Sequence, residues 1–157
     1  MENTAMLSRL AAGDEPKSIP ADVGFTALRV AVGLMMAVGH GLAKVPPAAG
    51  FVEAVGSLGF PMPTAFAWAA GLSELVGGLL IAAGLFTRPA SLFLAVTMGV
   101  AAFLKHWSDP LFSRQGPSKE LALLYFAAAV AFLLAGSGRF GLDSLVRGRR
   151  KDEAPQD

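Results

Sequence analysis

The stretch Arg29-Val-Ala-Val-Gly-Leu-Met-Met-Ala-Val-Gly-His40-Gly-Leu-Ala-Lys44 decides the fold, because it sets ionisable side chains inside a run that otherwise reads as a membrane span. Arg29 and His40 are eleven residues apart, and at ~100° per residue that interval brings them back to within about 20° of one another on a helix. One helix face therefore carries both. Gly33, Ala37 and Gly41 follow the same side, a small-xxx-small seam against which a second helix backbone can lie. Charge at membrane depth faces protein or water rather than lipid, which makes this face a functional candidate. The structural alternative is an arginine that snorkels to a nearby headgroup and a histidine at the far interface.

Composition agrees with a membrane reading. Hydrophobic residues make up 54% of the 157 and charged ones 16%, with a mean hydropathy of +0.53, whereas soluble domains carry roughly 25% charged residues. A formal net charge of +1 provides no field for nucleic acid, so no nucleic-acid partner is expected. The absence of cysteine excludes a thiol nucleophile, a thiolate metal site and an iron–sulfur cluster within this chain.

Residues 1–22 read as a mobile or surface-lying leader without a convincing cleavage site, followed by a membrane domain over 23–143 and a basic then acidic tail over 144–157. Val23 to Ala43 is long enough to cross ~30 Å of hydrocarbon and forms span one. Between Pro46-Pro47 and Pro61-Met-Pro63, the spacing of Phe51, Val52, Val55 and Leu58 predicts a short amphipathic helix, either a lid or a plain interfacial helix. Ala65 to Phe86 is span two, interrupted by Ser73 and Glu74. Span three runs from Pro89 to about His106, and Glu120 to Ala135 is a short fourth. The expected fold is an all-α integral membrane protein, a four-transmembrane-helix bundle. Eight basic residues fall on the leader, the Arg88 turn and the tail, against four on the opposite loops, so both termini are expected in the cytoplasm.

This topology fixes depths. His40 and His106 both lie seventeen residues from the starts of their spans, ~25 Å above the cytoplasmic edge, and share a level. Lys44, Lys105, Trp107 and Glu120 gather at the same end. Glu74 falls at ~18 Å and Arg29 at ~9 Å, and the long arginine stem predicts a buried Arg29–Glu74 pair. That pair would either fix helix register or handle protons.

In order along the chain, Arg29-(x10)-His40-Gly41-xx-Lys44, Gly71-Leu-Ser-Glu74-Leu-Val-Gly-Gly78, Gly84-Leu-Phe-Thr-Arg88, Met98-(x7)-His106, Glu120-Leu-Ala-Leu-Leu-Tyr125 and Gly136-Ser-Gly-Arg-Phe-Gly-Leu-Asp143 resemble the DoxX family of small bacterial four-helix membrane proteins. The resemblance covers about Gly24 to Asp143. It implies a multi-pass bundle in the inner membrane of a bacterium and, by relation to the small membrane subunit of thiosulfate:quinone oxidoreductase, a link to quinone-dependent redox chemistry.

A quinone headgroup needs hydrogen-bond partners for two carbonyls, a proton route and an apolar slot. His40, His106, Lys44 and Glu120 are the candidate catalytic residues, with His40, His106 and Trp107 as candidate cofactor contacts and Met35, Met36 and Phe103 nearby. Imidazole suits proton exchange near neutral pH. Two imidazoles and Glu120 would also suit several transition metals, but no metal is predicted without a His-xxx-His pair, and no bis-histidine haem, because the small residues near both histidines serve helix contact as readily as a macrocycle. Two functions compete: a quinone-binding subunit of an oxidoreductase system, and a scaffold that recruits soluble redox or detoxification enzymes. Membrane lipid is the expected partner of either, and the sequence leaves homo-oligomerisation open.

Overall fold

The computed structural model describes residues 18–144 and 146. The leader as far as Lys17 and the tail from Arg147 lie outside the described residues. Helix α1 spans Ile19–Met36, four residues ahead of the expected start. Ser18 caps it by accepting the Ala21 N–H at 3.4 Å, and Pro20 occupies the first turn, where its missing N–H is harmless. The chain continues through a π-helical turn at Ala37–Gly41 and a 3-10 turn at Leu42–Lys44. Helix α2, Ala49–Gly56, is the short helix between the proline pairs. Helix α3 covers Pro63–Ala83, and α4 covers Thr87–Val100 with a second π-helical turn at Ala101–Lys105. Helix α5 is Glu120–Ala135.

Three of these segments are long and apolar enough to cross a membrane: Ile19–Lys44, Pro63–Ala83 and Thr87–Lys105, with hydropathies of 1.6, 1.6 and 1.4. Helix α5 is shorter, at 16 residues, and among the described residues there is no strand. The protein is therefore a helical membrane protein. Large apolar side chains on the outside agree, with Phe93 at 64% and Leu124 at 66% exposed, a surface that lipid rather than water would solvate.

Helix α1 packs on α3, α3 on α4, and α4 on α5. Between lipid-solvated helices the hydrophobic effect contributes little, so close backbone approach must supply the contact. It does so along the Gly33 seam. A Cβ on Gly33 would lie 2.6 Å from both the Gly78 oxygen and the Ala82 nitrogen, and one on Gly78 would lie 2.8 Å from the Gly33 oxygen. Met36, Ile81, Leu94, Met98, Tyr125 and Phe132 fill the interior. An edge-on contact between Phe25 and Phe132, centroids 5.7 Å apart, ties α1 to α5.

The end of the bundle that carries the start of α1 and the end of α5, inner in the expected orientation, is closed by polar groups. Helix α3 stops where Gly84 turns left-handed (φ 70°): the Gly84 and Leu85 N–H groups close back onto Ile81 O and Leu80 O, both at 3.0 Å, and the last carbonyls point out of the helix end. The Arg29 guanidinium, 1% exposed, takes two of them: Nη1 donates to Ile81 O and to Ala82 O, the latter at 2.7 Å. Asp143 caps the next helix by accepting the Phe86 and Thr87 N–H groups at 2.8 and 3.0 Å, and its own N–H donates to Gly84 O at 2.8 Å. Its charge also acts on Arg29.

Candidate functional site

The opposite end of the bundle, outer in the same expected orientation, contains a cavity of about 350 Å³ lined by Met36, His40 and Lys44 from the first helical segment, Glu74 from α3, Met98, Ala101 and His106 from the third, and Leu121, Ala122 and Tyr125 from α5, with Pro117 and Ser118 ahead of α5. The structure thus brings His40, Lys44 and His106 to one wall system. Both histidines depend on the same device. The turns Ala37–Gly41 and Ala101–Lys105 are π-helical, and such widened turns insert residues into an otherwise α-helical register and recur at functional sites. His40 lies within the first and His106 directly follows the second.

The two imidazoles have different surroundings. His106 Nδ1 lies 2.6 Å from Asp109 Oδ2, an arrangement that holds the ring and leaves Nε2 as its remaining polar atom. His40 meets the Tyr125 ring edge-on, centroids 5.4 Å apart and 77° between planes, and among the described residues its nitrogens have no side-chain partner.

Below them Lys44 Nζ donates to both carboxylate oxygens of Glu74, at 2.6 and 2.7 Å. This corrects the expected Arg29–Glu74 pair. The lysine stem reaches back from the 3-10 turn toward the level of Gly41, which packs against the Glu74–Leu75 backbone, while Arg29 is held at the inner end by the α3 carbonyls and Asp143. The Glu74 side chain is 2% exposed and that of Lys44 32%, so the carboxylate is the buried member.

Other expected members fall outside the cavity. Glu120 is exposed as the first residue of α5, where its side chain complements the helix dipole rather than facing the bundle. Five residues on, ~140° around the helix, Tyr125 faces inward. Trp107 is 73% exposed and does not line it, and Lys119 lies over its ring at 5.8 Å. Of the expected apolar neighbours only Met36 lines the cavity, since Met35 and Phe103 lie on the outer surface. Tyr125 and Asp109 were not singled out from sequence as site residues. The chain's single tyrosine, inside an apolar segment, was the available signal for the first.

A second cavity, about 460 Å³, lies under α2 and between α3 and α4, lined chiefly by apolar side chains. It shares Lys44, Glu74, Ala101 and His106 with the first, so the ion pair and one histidine stand where the two meet. Among the described residues there is no cluster of three or more His, Asp or Glu suited to a metal ion. The polar cavity offers imidazole, ammonium, carboxylate and phenol groups around a space of small-molecule size.

Fold and cavity define a helical membrane protein with a polar chamber at one end of its bundle. The DoxX family model matches residues 24–107, a range that contains Arg29, His40, Lys44, Glu74 and His106, and the chain belongs to that family. An uncharacterised protein of Haemophilus influenzae is 38% identical over 91 residues, 57% of this chain and 65% of the relative, so the chain spans just under two thirds of that protein. The inner membrane protein YphA of Escherichia coli is 36% identical over 119 residues, 73% of this chain and 84% of the relative. A Bacillus subtilis protein named "Putative oxidoreductase CatD" is 31% identical over 125 residues, 80% of this chain and 88% of the relative. No solved structure matches the chain.

Proposed function

We propose that this protein is an integral-membrane subunit of an oxidoreductase system that binds the headgroup of a quinone or quinol in the outer polar chamber. The observation that carries this reading is the convergence of His40, His106, Tyr125 and the Lys44–Glu74 pair on one chamber inside an otherwise apolar bundle. A relative named as an oxidoreductase supports the redox setting. Four spans, cytoplasmic termini and an inner-membrane location complete the reading, supported by the basic-residue asymmetry and by the relative named as an inner membrane protein.

The roles divide by surroundings. The His106 ring, held by Asp109, is an oriented hydrogen-bond partner for one carbonyl of the headgroup. His40 is the less restrained imidazole and the better group for moving a proton. Lys44 and Glu74 bound the chamber from below. Purified protein in lipid nanodiscs should bind a short-chain benzoquinone, and His40→Gln and His106→Gln should each weaken binding about tenfold, ~1.4 kcal/mol. Glu120→Gln, outside the chamber, should bind as the wild type does.

A second reading, a scaffold for soluble redox enzymes, is favoured by the outer loop, where Trp107 and Phe112 are 73% and 69% exposed. Wild-type quinone affinity in both histidine variants, with the fold intact, would replace the first reading by this one.

A further inference from the structure

We propose that the apolar chamber under α2 holds the hydrocarbon chain of the ligand whose head occupies the polar chamber, so that the site takes a chain-bearing quinone lying across the Lys44–Glu74 pair. This rests on the headgroup reading above and adds the occupant, orientation and access route of the second cavity.

The chemistry of the walls is the first argument. Phe51, Leu58, Phe60, Phe66 and Phe93 dominate the lining, with the Phe60 and Phe66 rings 4.6 Å apart. The hydroxyls on the wall are already engaged: Ser73 Oγ and Thr97 Oγ1 lie 2.6 Å apart, so one donates to the other, which in turn donates to a carbonyl of its own helix, Ala70 O at 2.9 Å or Phe93 O at 3.0 Å. Away from the end formed by Lys44, Glu74, Lys105 and His106, water in this space would find no free polar side chain on the walls, whereas a hydrocarbon chain needs none.

Continuity is the second argument. The chambers meet at Lys44, Glu74, Ala101 and His106, so a molecule with a polar end and an apolar end can occupy both without burying either in the wrong surroundings. A headgroup alone would leave the larger chamber unfilled.

Access is the third. Helix α2 covers the chamber from the outer side through Val55, 8% exposed, and through Phe51, whose ring lies 5.3 Å from Lys44 Nζ. On the flank, Phe66, Phe93 and Val96 both line the chamber and show 38%, 64% and 59% of their surface outward. The opening therefore faces the side of the bundle that lipid covers, between α3 and α4. A chain-bearing ligand would pass directly from the bilayer, its chain remaining in apolar surroundings throughout, while the head is drawn past the ion pair.

The test compares a decyl-substituted benzoquinone with the same ring lacking the chain, each titrated into full-length protein in nanodiscs. Partition into lipid cancels when variants are compared at one lipid concentration. Ala54→Phe, from α2, and Ala69→Phe, from α3, fill the chamber from two walls, and Leu92→Phe, on the outer surface, is the control. We expect either filling variant to weaken decyl-quinone binding about tenfold and to leave the chainless ring unchanged, with the control unaffected for both. Equal loss for both ligands, or no loss for either, would overturn the chain chamber while leaving the headgroup reading in place. An acyl chain of membrane lipid as the occupant would give the no-loss result. Failure of the chainless ring to bind wild type would remove the headgroup reading, and the chain proposal with it.

Discussion

Breaking the Lys44–Glu74 pair is the sharpest perturbation available. Loss of one member of a buried ion pair costs about 3–5 kcal/mol, because it strands the other charge. Lys44 is about a third exposed, so solvent screening lowers the range to about 2–4 kcal/mol for Lys44→Met. At ~2–4 °C per kcal/mol for a chain of this size, the melting temperature in detergent should fall by on the order of 10 °C. Glu74→Gln should cost less, since a neutral amide still accepts from the ammonium and Lys44 can turn toward water. A double-mutant cycle on Lys44→Met and Glu74→Gln should then show coupling of about 1–3 kcal/mol. The parallel cycle on Arg29→Met and Glu74→Gln should be additive to within ~0.5 kcal/mol, because Arg29 bonds to Ile81 and Ala82 instead. Coupling in the second cycle and additivity in the first would refute this assignment of partners. Melting monitored by tryptophan fluorescence with circular dichroism gives both cycles in one set of proteins.

Gly33→Ala should destabilise by about 1–3 kcal/mol, because its methyl would meet backbone atoms of α3 rather than a side chain that could move. Gly24→Ala, on the same helix with nothing within 4 Å, should raise stability by up to ~1 kcal/mol, and thermal melting of the pair separates packing from propensity. Asp143→Ala should cost about 1–2 kcal/mol through the lost cap on α4, with Asp143→Asn intermediate, read by urea sensitivity in mild detergent. For topology, single cysteines in this cysteine-free chain at Phe51 and Arg114 should react with an impermeant maleimide on intact cells, and those at Thr4 and Gln156 should not. The reverse pattern would invert the orientation.

Helix positions were legible because apolar runs and punctuating residues agree. The short apolar segment expected at Glu120 to Ala135 is α5, and the helix expected between the two proline pairs is α2. The small-residue seam on Arg29's side was legible too, since the spacing of Gly33, Ala37 and Gly41 allows little else than close helix contact. Side-chain partners were not. Depth along an ideal helix ignores the reach of a lysine, so Glu74 was matched to the arginine below it rather than the lysine above. Counting also assumes one helical step, and no composition rule marks the π-helical turns that precede or contain the histidines. Glu120 belonged to the correct end of the bundle but to the wrong face, a distinction that requires knowing how α5 is rotated against α4.

The polar closure at the inner end has a consequence for the order of assembly. Helices α3 and α4 emerge as a hairpin, yet neither completes the bonding at its turn alone: Ala82 O of α3 relies on Arg29, and the first N–H groups of α4 rely on Asp143. One partner is made before the hairpin and the other after every helix from α1 to α5 has been synthesised. Until Asp143 leaves the ribosome, the turn keeps exposed donors and an arginine whose nearby carboxylate is missing. The segment after α5 thus acts as the final fastener of the bundle. A chain interrupted after Ala135 would possess every long helix and still present an unfinished hairpin to the membrane's quality-control proteases.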